Sequence, residues 1–190
     1  MTKAVIERDR LRLRRCGTDE FTPAEIDAIR TMLTLAFGDD EADRFSDEDW
    51  QHAIGGTHFV LEIDGVIVTH ASVVEREIHV DGQPLRTGYV EAVATAPERH
   101  GAGYGSIVMG EVGDFVRERF ELGMLGTGRH YFYERLGWVV WAGPAFVRTA
   151  DGLRRSPDEE GDLLVLRTPT TPPLDDHAPI SCDWRPGDVW

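Results

Sequence analysis

The run Tyr89-Val90-Glu91-Ala92-Val93-Ala94-Thr95 leads, past Pro97, into His100-Gly101-Ala102-Gly103-Tyr104-Gly105. A strand that passes through glycines into a helix gathers unpaired backbone N–H groups and the positive end of the helix dipole at one point, which suits a phosphate. No Gly-Lys-Ser/Thr follows, and GxGxG spacing in mid-chain is a poor dinucleotide fingerprint, so a tight turn that needs glycine is the plain alternative. Alternation along the strand puts Val90, Ala92 and Ala94 on one face and Tyr89, Glu91, Val93 and Thr95 on the other. A carboxylate on that second face is either an ion-paired structural group or a base lining a cleft. Seven histidines, at 52, 58, 70, 79, 100, 130 and 177, show no HExxH or i, i+4 pair. Cys16 and Cys182 lie far apart without CxxC spacing. No metal is expected, and the histidines read as core or surface residues.

The elements that must position this strand and loop are legible as alternating strands and helices. Thr22-Pro23-Ala24-Glu25 joins an N-cap, a proline at the first helical position and a capping-box glutamate, ahead of Ile26, Ile29, Leu33, Ala36 and Phe37 at helical spacing. Ser46 caps a short second helix through Trp50 and Ile54, stopped by Gly55-Gly56. His58 to Ile63, the turn Asp64-Gly65 and Val66 to Val74 read as a hairpin, and a turn at Asp81-Gly82 leads to a strand ending near Thr95. Val108, Val112, Phe115 and Val116 mark the helix after the glycine loop. Leu122 to Leu125 reads as a strand, His130 to Leu136 as a short helix, and Trp138 to Trp141 with Phe146 to Thr149 as closing strands. Beyond Asp151 the prolines predict an irregular wrap broken only by Leu163 to Leu166. The class is α+β, mixed α/β, in a single domain over residues 1–190.

Charge narrows the partners. With 34 acidic against 20 basic residues the net charge is −14, which opposes phosphate backbones and anionic membranes and suits a cationic small molecule. Nucleic acid and membrane are therefore not expected partners. The opening residues carry charge before any apolar stretch forms and no run of 18 apolar residues occurs, so neither signal peptide nor span is expected and the chain reads as cytoplasmic.

The glycine loop, its strand, and Phe132-Tyr133-Glu134-Arg135-Leu136-Gly137-Trp138 resemble the acetyl-CoA signature of the GNAT acetyltransferase superfamily, with His100 at a place where the family has Arg or Gln. Three further segments resemble its aminoglycoside 2′-N-acetyltransferase branch: Gly55-Gly56-Thr57-His58, Gly88-Tyr89-Val90-Glu91, and Cys182-Asp183-Trp184-Arg185-Pro186-Gly187-Asp188-Val189-Trp190.

The resemblance implies a GNAT-like central, mostly antiparallel sheet flanked by helices, with the acetyl-CoA loop between the fourth strand and the third helix. It implies acetyl-CoA as co-substrate, a cationic aminoglycoside acceptor acetylated at its 2′-amine, drug resistance as the outcome, and a homodimer. Glu91 carries over as the base, the Val93 N–H as the oxyanion donor and Tyr133 as the acid that protonates the departing thiolate. Val93, Thr95, Arg99, His100, Gly101, Ala102, Gly103, Tyr104 and Gly105 carry over as acetyl-CoA contacts. Asp49, Glu91, Glu159, Asp188 and the terminal carboxylate of Trp190 carry over as holders of the drug's ammonium groups. A small insertion around Gly38 to Ser46 puts Arg44 where the family has an acidic residue, and Gly126 to Arg129 is shorter than the family's stretch there. An arginine in the pocket would favour a substrate with its own carboxylate, which makes a kasugamycin-like compound a candidate. Within the same superfamily the alternatives are a polyamine or protein N-terminus as acceptor, or a non-catalytic module that binds acyl-CoA or a drug.

Overall fold

The computed structural model describes residues 11–38 and 44–190. Ten strands among these share one sheet: β1 (Leu11–Gly17), β2 (Thr57–Ile63), β3 (Val66–Val80), β4 (Gln83–Thr95), β5 (Leu122–Gly126), β6 (Val139–Val140), β7 (Ala145–Thr149), β8 (Gly152–Arg155), β9 (Leu163–Arg167) and β10 (Ile180–Asp183). The described α-helices are α1 (Pro23–Phe37), α2 (Asp47–Ala53), α3 (Tyr104–Arg119) and α4 (His130–Glu134). The class is the expected mixed α+β. Among the described strands only the β4–β5 and β7–β10 pairs run parallel.

Local chemistry sets the element ends. Thr22 Oγ1 accepts the Glu25 N–H while the Glu25 carboxylate accepts the Thr22 N–H, closing the capping box of α1. Ser46 and Asp49 do the same for α2. Asp64-Gly65 and Asp81-Gly82 all have positive φ, the two-residue geometry that lets β2, β3 and β4 fold back on one another. Val108, Val112 and Val116 of α3 pack against Phe59, Leu61 and Val73 on one face of the sheet. Ile29, Leu33 and Trp50 from α1 and α2 pack with Val60 and Ala94 on the other. No helix among the described residues is long and apolar enough to cross a membrane.

Two expectations need correction. Past residue 151 the expected break at Leu163 to Leu166 is β9, between β6 and β5, but the segment also carries two strands that were not expected, β8 paired with β7 and β10 between β3 and β7. The prolines fall between these strands, where no ladder hydrogen bond is lost. The second correction concerns β4. Its register with β3 shifts so that Ala94 faces His70 while Glu91 faces Ser72, leaving a bulge at Ala92 and Val93. Ala92 takes a left-handed φ of 51°. Alternation therefore breaks: Val90 and Val93 pack on the α3 side, whereas Ala92 and Ala94 pack on the side of α1 and α2.

Beside the bulge the sheet opens. β4 and β5 pair from Thr87 and Leu122 only to Tyr89 and Met124, so the rest of β4 diverges from β5. The glycine loop follows directly between β4 and α3.

Candidate active site

Glu91 stands in the bulged stretch of β4 with its side chain 14% exposed, and Arg185 Nη2 lies 2.8 Å from its Oε1. The contact is close but not aligned as a hydrogen bond, and Oε1 has no hydrogen-bond partner. Burial pushes the Glu91 carboxyl up from its ordinary range, opposed by Arg185 and Arg76 and reinforced by Asp188. Burial also raises Glu159, again with Asp188 as the leading charged neighbour. Three acidic groups, from β4, from the turn after β8 and from the segment after β10, thus share one electrostatic neighbourhood.

Arginines hold the segment after β10 against β4. Arg185 Nε donates to the Asp188 carbonyl at 2.9 Å, and Arg76 Nη2 donates to the Val189 carbonyl at 2.9 Å. Both guanidiniums lie over the Tyr89 ring, 4.5 Å and 5.7 Å from its centroid for Arg76 and Arg185 respectively. Tyr89 Oη, Arg76 Nη1 and Trp190 Nε1 are buried without hydrogen-bond partners. Orphaned polar atoms of this kind, gathered around one carboxylate, fit a polar ligand. They lie where the sheet opens, since a Cβ at Gly126 would stand 3.8 Å from Tyr89 Oη and 4.0 Å from the Trp190 carbonyl carbon.

The second half of the site is the start of α3. Gly101 and Gly103 have φ of 79° and 84°, a left-handed backbone that disfavours side chains. Among the described residues the N–H groups of Gly101, Ala102, Gly103, Tyr104 and Gly105 have no acceptor, and they surround the positive end of the long α3 helix. An anionic pyrophosphate fits this cradle. Phe132 of α4 closes on it, with Cζ 3.3 Å from where a Gly105 Cβ would sit. The neighbouring Tyr133 is buried. Burial pushes its hydroxyl up to about 12, against a smaller opposite effect of Arg129.

The remaining candidates are placed as follows. His100 is exposed, and its Nε2 bonds the Thr95 carbonyl at 2.8 Å, so its ring closes the turn between β4 and the loop. Thr95 Oγ1 meets Thr69 Oγ1 at 3.1 Å, and Arg99 lies exposed at the loop mouth. Asp49 Oδ2 is engaged by the Ser46 N–H at 2.7 Å. Asp49 acts on the neighbouring His52, which bonds the Pro186 carbonyl at 2.8 Å. Arg44 is exposed and joins none of these contacts, and residues 39–43 of the insertion lie outside those described. Arg76, Arg185 and Tyr89 were not anticipated as site residues. The signal for Arg185 and Tyr89 was already present, since each belongs to a segment singled out above.

A splayed parallel strand pair, a bulged strand carrying a buried carboxylate and a glycine-opened helix define an acyl-CoA-dependent acetyltransferase. Residues 18–141 match the family described as Acetyltransferase (GNAT) domain, and the chain belongs to it. It is 40% identical over 169 residues, covering 86% of this chain and 84% of the relative, to an aminoglycoside 2′-N-acetyltransferase of Mycolicibacterium fortuitum. A GNAT family acetyltransferase from Brucella melitensis in complex with acetyl-CoA shares the fold with a TM-score of 0.57 at 17% identity, over 86% of this chain and 92% of that one. A GCN5-related N-acetyltransferase from Kribbella flavida does so with a TM-score of 0.57 at 22% identity over 72% of this chain, which spans only 34% of that longer protein. Acetyl-CoA is the co-substrate of the family, and the free N–H groups of the loop fit its pyrophosphate.

Proposed function

We propose that the protein transfers acetyl from acetyl-CoA to the 2′-amine of an aminoglycoside and so protects a cell against the drug. The observation that carries this reading is the buried Glu91 carboxylate, set among Asp188, Glu159 and orphaned polar atoms at the mouth of the β4–β5 opening. The likeness to the Mycolicibacterium relative supports it.

An amine acceptor arrives protonated and cannot attack until it loses a proton. Glu91 takes that proton, through a water, and its raised affinity for protons suits a base working near neutral pH. Acetyl-CoA, when bound, supplies the activated acyl carbon. The Val93 N–H, in the stretch of β4 beyond its pairing with β5, donates to the acyl oxygen as charge develops there, an effect of about 2–4 kcal/mol. Tyr133 holds the proton that the departing sulfur needs. Asp188, Glu159 and Asp49, with the main-chain oxygen of Trp190, hold the acceptor's other ammonium groups.

Thiol release on mixing with acetyl-CoA tests the reading across a panel of aminoglycosides, a polyamine and a peptide with a free N-terminus. Release with aminoglycosides alone supports it. Release with the polyamine or peptide alone moves the acceptor elsewhere, and calorimetric binding of acetyl-CoA without any release leaves a non-catalytic module. A kasugamycin-like member of the panel reads Arg44, whose neighbour Asp47 is already paired with Arg30. The acetyl-CoA requirement supports a cytoplasmic location and the resemblance a homodimer, which sedimentation measures.

A further inference from the structure

Between Glu91 and Val93 stands Ala92, whose left-handed φ of 51° is disfavoured for any residue with a Cβ. Its carbonyl accepts a hydrogen bond from His70 Nδ1 at 2.8 Å. His70 Nε2 is 2.9 Å from His58 Nδ1, and His58 Nε2 is 2.7 Å from Thr18 Oγ1. Thr18 Oγ1 in turn accepts the Gly55 N–H at 2.9 Å. Both rings are fully buried, against Phe21 and Trp50, so this chain supplies every polar contact they make.

The ends fix the direction of every proton. The Ala92 carbonyl can only accept, so His70 carries its proton on Nδ1 and accepts on Nε2. His58 must then donate from Nδ1 and accept on Nε2, and Thr18 must donate to it. One arrangement of neutral rings satisfies the whole chain. A wire that moves catalytic protons needs an end that can take up or release one, and this chain ends on a main-chain carbonyl and a main-chain amide. The arrangement is a brace. It also gives Gly55-Gly56-Thr57-His58 a physical role, since the Gly55 N–H anchors one end and His58 is the middle link.

We propose that His70, held by His58 and Thr18, is a positioning residue that fixes the Ala92 bulge and thereby sets where the Glu91 carboxylate and the Val93 N–H stand. The proposal rests on the reading of Glu91 and Val93 given above. Glu91 and Val93 flank Ala92 directly along β4, so relaxing the bulge would move both at once.

Nitrogen NMR of the histidine rings tests the brace without any acceptor. Neutral Nδ1–H tautomers at both His58 and His70 are expected, and an Nε2–H tautomer or a charged ring at His70 at neutral pH overturns it. The second measurement compares His70→Leu with His70→Asn, whose side-chain amide retains a donor near the Nδ1 position. For His70→Leu we expect kcat to fall roughly ten-fold to a hundred-fold with the KM for acetyl-CoA little changed, the Val93 amide resonance to shift, and His70→Asn to restore most of both. A folded His70→Leu protein with unchanged kcat and an unmoved Val93 resonance refutes the proposal, as does equal loss in the two variants. Should His70→Leu fail to fold, Thr18→Val at the partly exposed end is expected to give a smaller change of the same kind, and an unaltered Val93 resonance there counts against the brace. If the wild-type protein acetylates no aminoglycoside, the functional reading falls while the tautomers and the Val93 resonance still decide the brace.

Discussion

Arg185 Nη2 and Glu91 Oε1 lie 2.8 Å apart, so the segment after β10 supplies the cation that faces the buried carboxylate of β4. Burial and the guanidinium act in opposite directions on that carboxyl, and burial is the larger effect. Removing this cation leaves Arg76 alone to oppose burial. In Arg185→Gln the acidic limb of kcat/KM should move to higher pH, because Glu91 then holds its proton further into the working range. Arg185→Lys should move it less. An acidic limb that stays in place in Arg185→Gln would show that the limb does not report Glu91.

Glu91→Gln keeps the shape and removes proton acceptance. Relative to wild type, kcat/KM should fall by roughly 10² or more and the acidic limb should vanish. Full rate across the pH range would make Glu91 a structural partner of Arg185 and nothing else.

Tyr133 is held at about 12, far above neutral, so its proton stays in place at every pH at which the protein works. The pH profile should therefore show no basic limb from this group below about pH 11. Tyr133→Phe keeps the ring against Phe132 and Trp138 and removes only the acid. We expect kcat to fall about 10²-fold with the KM for acetyl-CoA near wild type, measured by steady-state thiol release. A variant as fast as wild type would reduce the hydroxyl to a bystander of the sulfur.

Residues 88–91 and 182–190 could be recognised separately in the sequence, but their union could not. Tyr89 receives the two guanidiniums on its ring, Glu91 faces Arg185, and the two segments lie far apart along the chain. The caps at Thr22 and Ser46 and the Asp-Gly turns were legible because each is decided by a few adjacent residues. β1 was not, because the alternation of Leu11, Arg12, Leu13 and Arg14 stops at Arg15, Leu11 stays exposed, and the strand is held by Arg14 bridging to Glu25 and to Glu62. The bulge at Ala92 escaped for a different reason. Nothing in Val-Glu-Ala-Val signals a left-handed residue, and its stabilising bond comes from His70 on the neighbouring strand.

The same histidine pair should make the protein acid-sensitive in a defined window. Burial pushes His58 down to about 4 and His70 down to about 3, against 6.5 for a solvated ring. Both rings are therefore neutral in the folded protein, where Phe21 and Trp50 pack on them and the described contacts place no charged side chain against either. Between these values and 6.5 the unfolded chain binds more protons than the folded one, so stability rises with pH through that window. The contribution is complete above about pH 6.5 and is lost as pH falls toward 4, at up to roughly 1.4 kcal/mol per pH unit for each histidine. The double variant His58→Gln with His70→Asn carries no titrating ring, so its unfolding free energy should fall less steeply with acid than that of wild type. Urea unfolding at half-unit steps from pH 7.5 to 5 measures the difference, in which the carboxylates common to both proteins cancel. Parallel curves would mean that the two rings are no harder to protonate in the folded protein than in the unfolded chain.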